Sequence, residues 1–429
     1  MHVKTLWLLV LALLIATPLL AQDLTGDWQG TLPVPTQPLR IVVRIKRAEA
    51  GGWTGAMYSL DQGNDWGAST PITSIAVDGP QIKFVVDGVR GTYQGTVAAD
   101  GQSIEGTWTQ RGSLPLALRR PTPETLWKDP ASHTIQFVTI DKNVKLEVLD
   151  FGGSGRPLVF LAGLGNTGHV FDKFALNFTG AHHVYAITRR GFGDSSAPPD
   201  GYGADRLGDD VLAALDALKL VRPVLAGHSI AGEELSSIAS RHPERVAGLV
   251  YLDAGYPYAF YNAERGDFNL DLSELRRKLD QLSNGPVDSR PTIKELLVDL
   301  PRFERNLQAR QKELDAMPPA LLATAQGSQP VVPRAVMAGA QKYTNLSGVP
   351  ILAIYAVPHD LGALASADPT ARAARDAQDE ETTGAQATAF EKGVPSARVV
   401  RIPHANHYVF RSNEADVLKE MNAFLAGIK

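Results

Sequence analysis

Two rhythms of apolar residues divide the chain. From residue 22 to about 120, short runs rich in Val, Ile, Thr and aromatic residues alternate with Gly, Asp and Pro, as in LRIVVRIKR, QIKFVVDG, GTYQGTVAADG and SIEGTWTQ. Turn signals at this spacing predict an antiparallel all-β module, either a barrel or a sandwich. A weak repeat runs through it: GDWQGT at Gly26, GTYQGT at Gly91 and GTWTQ at Gly106. The stretch from Leu118 to Ser132 carries three prolines and no alternation, which predicts a linker centred on 121–132.

From residue 133 onward the period changes. Continuous apolar runs (RPLVFLAG, RPVLAGHS, VAGLVYLDA, VPILAIYAV, ARVVRIP) alternate with helical patterns. Leu207, Val211, Leu215 and Leu218 share one face of a predicted helix, and Val417, Met421, Phe424 and Leu425 fall at i, i+4, i+7 and i+8 of the last one. Strands apolar on both faces alternating with helices predict an α/β fold with a doubly wound, mostly parallel sheet spanning 133–429. Residues 255–346 lie between two of its strands and contain LSELRRKLDQLS and TIKELLVDLPRFERNLQARQKELDAM, both amphipathic and highly charged. A connection of that length with its own helices predicts a helical cap.

The first 21 residues change the picture of where the chain works. Lys4, the apolar run Leu6–Ala16 and the small residue Ala21 read as a secretory signal peptide, and the run is shorter than the ~20 residues of a spanning helix. The expectation is a secreted or periplasmic protein with no stable membrane span after signal removal. Net charge is −4 with no basic patch, which argues against nucleic acid as a partner. There is no cysteine, so no disulfide and no thiolate metal site. His182, His183 and His359 lack the spacing of a metal motif, and neither metal nor cofactor is expected.

The candidate chemistry centres on RPVLAGHSIAGEE, Arg222 to Glu234. An apolar strand precedes Ser229, and Ala231, Leu235, Ile238 and Ala239 give the helical face that follows. Ser229 therefore sits on a sharp strand-to-helix turn flanked by small residues, at a helix N-terminus that favours a developing anion. A serine hydroxyl needs an adjacent base to act as a nucleophile. Glu233 and Glu234 in the first helical turn suit the helix dipole.

This stretch resembles the nucleophile elbow of the α/β-hydrolase superfamily, with Ala231 standing where the second elbow glycine is usual. RRGFGDSSAP, Arg189 to Pro198, resembles a structural segment of the same superfamily, and LAGLGNTGHVF, Leu161 to Phe171, resembles its oxyanion loop, with Ala162-Gly163 for the usual His-Gly. The resemblance implies a Ser-acid-His order. The backbone N–H groups of Leu164 and Ile230 would form the oxyanion hole. Asp360, after the strand that follows the cap, is the preferred acid and Asp253 the alternative; His407 is the preferred base and His404 the alternative. His228 would be a packing residue. The aromatics of GYPYAFY, Gly255 to Tyr261, line either an acyl pocket or the core of the cap. Separately, GDW near the start resembles the Gly-x-Trp of lipocalin-like barrels.

The implied protein is an exported serine hydrolase, a carboxylesterase acting on small-molecule ester or acyl substrates through an acyl-enzyme. The alternatives are an amidase, peptidase or lactonase on the same triad, or a catalytically silent ligand-binding envelope protein.

Overall fold

The computed structural model describes residues 23–34, 38–48, 51–60, 69–110, 112–127, 133–285, 288–315, 331–346, 348–360 and 369–428. The expected signal peptide and the end of the expected linker lie outside the described residues.

The first sheet has nine antiparallel strands: β1 Gly26–Leu32, β2 Leu39–Arg47, β3 Trp53–Ser59, β4 Ser69–Pro71, β5 Ser74–Asp78, β6 Gln81–Val86, β7 Gly91–Val97, β8 Ser103–Thr109 and β9 Ser113–Arg119. Their spatial order is β4-β3-β2-β1-β9-β8-β7-β6-β5. The two edge strands, β4 and β5, are thus consecutive in the chain. Between them Ile72 N–H donates to Gly55 O (2.9 Å) and Thr73 N–H to Val85 O (2.7 Å). The chain passes from one edge to the other in two residues, so the sheet curls around a single core as a barrel would, rather than stacking as a sandwich. The aromatics of the weak repeat, Trp28, Tyr93 and Trp108, are buried in that core with Phe84. Their polar ends are satisfied: Trp28 Nε1–H donates to Leu24 O (2.9 Å) and the Tyr93 hydroxyl to Leu116 O (3.0 Å). Leu118 is fully buried in β9, so the linker begins after that strand.

The second sheet has eight strands: β10 Thr134–Asp141, β11 Val144–Gly152, β12 Leu158–Leu161, β13 Val184–Ile187, β14 Val224–His228, β15 Gly248–Leu252, β16 Ile351–Ala356 and β17 Ala397–Ile402. The order is β10-β11-β13-β12-β14-β15-β16-β17. β10 and β11 form an antiparallel hairpin, β11 pairs antiparallel with β13, and every pairing from β13 to β17 is parallel. β12, β13, β14, β15 and β16 are buried at every residue. That is why their sequences run apolar without alternation: helices cover both faces, each with its own core cluster.

The expected helices are present. Ala204–Ala217 buries Leu207, Val211 and Leu215; Ala231–Arg241 follows β14; Glu414–Gly427 buries Val417, Met421 and Leu425. The insert between β15 and β16 contains the helices Phe268–Asn284, Arg290–Asp315 and Val331–Ala338. Val336 of the third is packed with Ile230, Phe192, Tyr202 and Leu207, so this insert covers the turn that follows β14. β2 also touches the loop after β13. Arg44 Nη1 and Lys46 Nζ of β2 reach Asp194 at 3.3 and 2.8 Å, partly exposed pairs that register the contact more than they stabilise it.

Candidate functional site

β14 delivers Ser229 to the C-terminal edge of the parallel sheet. The residue has φ +53°, a left-handed conformation that costs a non-glycine residue about 1–3 kcal/mol. The surroundings leave little choice. Ser229 N–H donates to Leu252 O (3.3 Å), and Ser229 O accepts from Gly232 N–H (2.9 Å), which starts the helix. Gly232, one place after the position where a glycine is usual, is the residue that has to be small: a Cβ there would lie 2.0 Å from Ala254 O. This explains why Ala231 is tolerated and the glycine is displaced by one. The loop after β12 closes on the same turn, since a Cβ on Gly163 would meet Ser229 Cβ at 3.2 Å and His228 Nδ1 at 2.7 Å. Leu164 of that loop packs in one apolar cluster with Ile230, so the two expected oxyanion donors come from adjoining segments.

His407, in the segment between β17 and the last helix, is half-buried and points its Nδ1 at Asp253 Oδ2, 2.6 Å away. Asp253 follows β15 directly, is fully buried, and has φ +47°. Its N–H donates to Ile354 O (2.7 Å), and its Oδ1 accepts from Ala356 N–H (3.0 Å). The carboxylate is thereby fixed between the ends of β15 and β16. Its Oδ2 accepts from His407, from His359 Nε2 (2.9 Å) and from the Tyr256 hydroxyl (2.9 Å). Burial works to raise the Asp253 pKa, but the hydrogen bonds from His359 and His407 outweigh it and hold the carboxyl at about 2.

Of the two expected acids, the structure brings Asp253 and not Asp360 to His407. Asp360 does not meet His407: its backbone N–H donates to Ala405 O (2.8 Å), and it is exposed. The residue of that loop whose side chain enters the site is its neighbour His359. Consecutive residues of an extended segment point to opposite sides, so when His359 faces Asp253, Asp360 faces away. His404 is likewise exposed, with its N–H donating to Pro358 O (2.7 Å); His407 and not His404 faces the acid.

His359 was missed by the sequence reading, as was its second partner. Its Nδ1 lies 2.7 Å from Asp379 Oδ2. Burial lowers its basicity, but the two carboxylates more than reverse this and bring its pKa to about 9. His359 is thus a cation at neutral pH, shared by two acids. Its folded pKa is raised above the ordinary 6.5, so its contribution to stability is complete below pH 6.5 and is lost as pH rises through about 9. His359→Gln is expected to lower Tm at pH 6 and to flatten the fall in Tm that wild type shows between pH 6.5 and 9, as scanning calorimetry across that window checks.

His228 packs as expected. Burial is the main cause that lowers its pKa to about 3, so it is neutral, and its Nε2–H donates to His407 O (3.0 Å). It steadies the segment that carries His407. GYPYAFY is more polar in use than either reading of it: the Tyr256 hydroxyl donates to Asp253, while Phe260 and Tyr261 are buried. Arg189, in the segment expected to be structural, forms a buried two-pronged pair with Glu234 (2.6 and 2.9 Å). Glu234 therefore does more than complement a helix dipole.

Glu233 is fully buried, and neither carboxyl oxygen has a hydrogen-bond partner among the described residues. Burial first, and then the Glu234 charge, push its pKa well above the ordinary 4.5, against the attraction of Arg189. It is held protonated while the unfolded chain ionises, so it destabilises the fold increasingly as pH rises above 4.5. Glu233→Gln is expected to raise Tm at neutral pH, with the gain vanishing at pH 4, as thermal melts at the two pH values check.

Asp253, His359 and His407 bring ligand-type atoms within 4.8 Å of one another. Both histidines reach one oxygen of Asp253 through hydrogen bonds, which accounts for the cluster without an ion. His182 and His183 lie elsewhere, on Arg156 O and Asp150.

A strained serine turn after a central parallel strand, with a histidine–aspartate pair at the same sheet edge, defines a hydrolase-type site. The chain belongs to the alpha/beta hydrolase family, whose model matches residues 158–420, more than half its length. It is similar to a putative non-heme haloperoxidase of Mycobacterium phage D29, at 37% identity over 105 residues, covering 24% of this chain and 37% of the relative. It is also similar to the AB hydrolase superfamily protein YisY of Bacillus subtilis, at 30% identity over 148 residues, covering 30% of this chain and 53% of the relative. A third relative is the 2-(acetamidomethylene)succinate hydrolase of Mesorhizobium japonicum, at 28% identity over 101 residues, covering 24% and 36%. The chain thus spans between about a third and a half of the length of these relatives. Among solved structures, a serine hydrolase involved in carbazole degradation matches at 15% identity and a TM-score of 0.43, covering 68% of this chain and 99% of that one.

Proposed function

We propose that this protein is an exported serine hydrolase that cleaves carboxylic esters of small or acyl substrates. The observation that carries the reading is the Asp253–His407 contact of 2.6 Å at the sheet edge where Ser229 is held at φ +53°. Asp253 fixes the tautomer of His407 by accepting from Nδ1, which leaves Nε2 as the base for the Ser229 hydroxyl. Ser229 Oγ attacks the ester carbonyl. The backbone N–H groups of Leu164 and Ile230 stabilise the oxyanion, each such donor being worth about 3 kcal/mol in the transition state. His407 passes the proton to the departing alcohol, and water activated by the same ring releases the acid. A serine at this position supports acyl transfer, whereas epoxide-opening chemistry would call for a carboxylate there.

Export is supported by the charged start, the apolar run and the small residue at Ala21. No helix among the described residues is long and apolar enough to cross a membrane. The chain is read as two domains, a β-module to about residue 120 and a capped hydrolase domain from 133.

The test is to expose the mature protein to a fluorophosphonate probe and to aryl esters of increasing acyl length. Labelling that peptide mapping assigns to Ser229, together with ester turnover, is the expected result. Unlabelled Ser229 and inert esters would replace this reading with the silent binding protein.

A further inference from the structure

A second group of ligand-type side chains lies away from the catalytic edge. His133, just ahead of β10, and His169 and Asp172, in the segment after β12, place nitrogen and oxygen atoms within 4.8 Å of one another. His133 Nδ1 is 3.6 Å from Asp172 Oδ1, and His169 Nδ1 is 3.2 Å from Asp172 Oδ2. The side chains are 4%, 11% and 3% exposed. Donors bound at 2.0–2.2 Å in a tetrahedron stand about 3.3–3.6 Å apart; the two histidines lie near this distance from the two oxygens of Asp172.

The surroundings carry the case further. His169 Nε2 faces Glu147 Oε1 at 3.7 Å, longer than a hydrogen bond but on the side of the ring where a carboxylate orients a metal-binding histidine. Glu147 is itself held: Thr188 Oγ1–H donates to its Oε2 (2.7 Å), and Gly168 N–H donates to Thr188 Oγ1 (2.9 Å). The four side chains include two carboxylates and two imidazoles, donor types that suit a dication. An entry path exists, because Glu147, Thr167 and His169 line a cavity of about 280 Å³ between the two sheets.

We infer that His133, His169 and Asp172 form a binding site for a divalent transition metal of the zinc class, with Glu147 behind His169 as a positioning residue. The mixed imidazole and carboxylate donors favour such an ion over calcium or magnesium, which take mainly oxygen. The site ties the start of β10 to the loop that also carries Leu164. A bound ion therefore fastens the linker end of the chain to a wall of the catalytic site, without taking part in ester cleavage.

The test uses the full mature chain, stripped with EDTA and titrated with Zn²⁺, with Co²⁺ as the spectroscopic probe. Wild type is expected to take up one equivalent, raise its Tm and give the visible bands of low-symmetry cobalt. His133→Gln and Asp172→Asn should each weaken zinc binding at least about 100-fold, and Glu147→Gln about 10-fold. His359→Gln, which breaks the other histidine–carboxylate cluster, should keep the full equivalent. The inference is overturned if stripped wild type binds no metal, if folded His133→Gln and Asp172→Asn bind as wild type does, or if uptake disappears in folded His359→Gln. If either ligand variant does not fold, the His359→Gln titration still separates the two clusters.

Discussion

Ser229→Ala is expected to abolish fluorophosphonate labelling and to cut kcat for aryl esters by about 10⁴–10⁶-fold. KM should move little, because the hydroxyl contributes to the transition state and not to the shape of the pocket. The turn itself should survive. Its left-handed backbone is imposed by the hydrogen bonds of Ser229 N–H to Leu252 and of Gly232 N–H to Ser229 O, none of which uses the side chain, and alanine pays the same conformational cost as serine. Far-UV circular dichroism and Tm close to wild type would show that the loss is chemical. A residual rate above the uncatalysed one is also expected, since the Leu164 and Ile230 donors remain. Retained turnover in the variant would remove Ser229 from the mechanism.

The second large effect separates Asp360, the acid preferred from the sequence, from Asp253, its alternative. Asp253→Asn is expected to lower kcat by about 10³–10⁴-fold, while Asp360→Asn leaves it nearly unchanged. The amide at 253 offers Nδ2–H or a neutral oxygen to His407, so the ring loses both its fixed tautomer and the charge that stabilises its cation. The same change strips His359 of one of its two carboxylates, so Asp253→Asn should also lower Tm. Kinetics measured well below the melting range separate the two losses. Asp360 is exposed and directs its backbone N–H, which asparagine keeps, to Ala405 O. The reverse outcome, with Asp360→Asn inactive and Asp253→Asn active, would show that the loop after β16 rearranges when substrate binds.

Much of the fold was legible because burial writes itself into the sequence. The continuous apolar runs of β12, β14, β15 and β16 could only belong to strands covered on both faces, and the stripe Val417, Met421, Leu425 could only be one buried helix face. The alternation that marked the first hundred residues is visible again in β6, where buried and less buried positions take turns. The helices Pro369–Asp379 and Ala385–Gly393 between β16 and β17 were not foreseen. The first carries only alanines as its apolar residues and is mostly exposed, so it has no stripe of large side chains to mark it.

By itself, then, the sequence determined the strand–turn–helix around Ser229 and the position of His407 ahead of the last helix, because both depend on neighbours close in the chain. Small residues allow the turn, and apolar periodicity sets the elements on either side. The choice of acid was beyond it. Asp253 and Asp360 both follow an apolar strand, and which carboxylate reaches His407 depends on β15 and β16 being paired in a given register and on His359, not Asp360, turning inward. The groupings of Asp253 with His359, Tyr256 and Asp379, and of His133 with His169, Asp172 and Glu147, join segments far apart in the chain. Only tertiary packing brings such segments within hydrogen-bonding distance, because the electrostatic forces that couple these groups depend on separation in space, to which local pattern is blind.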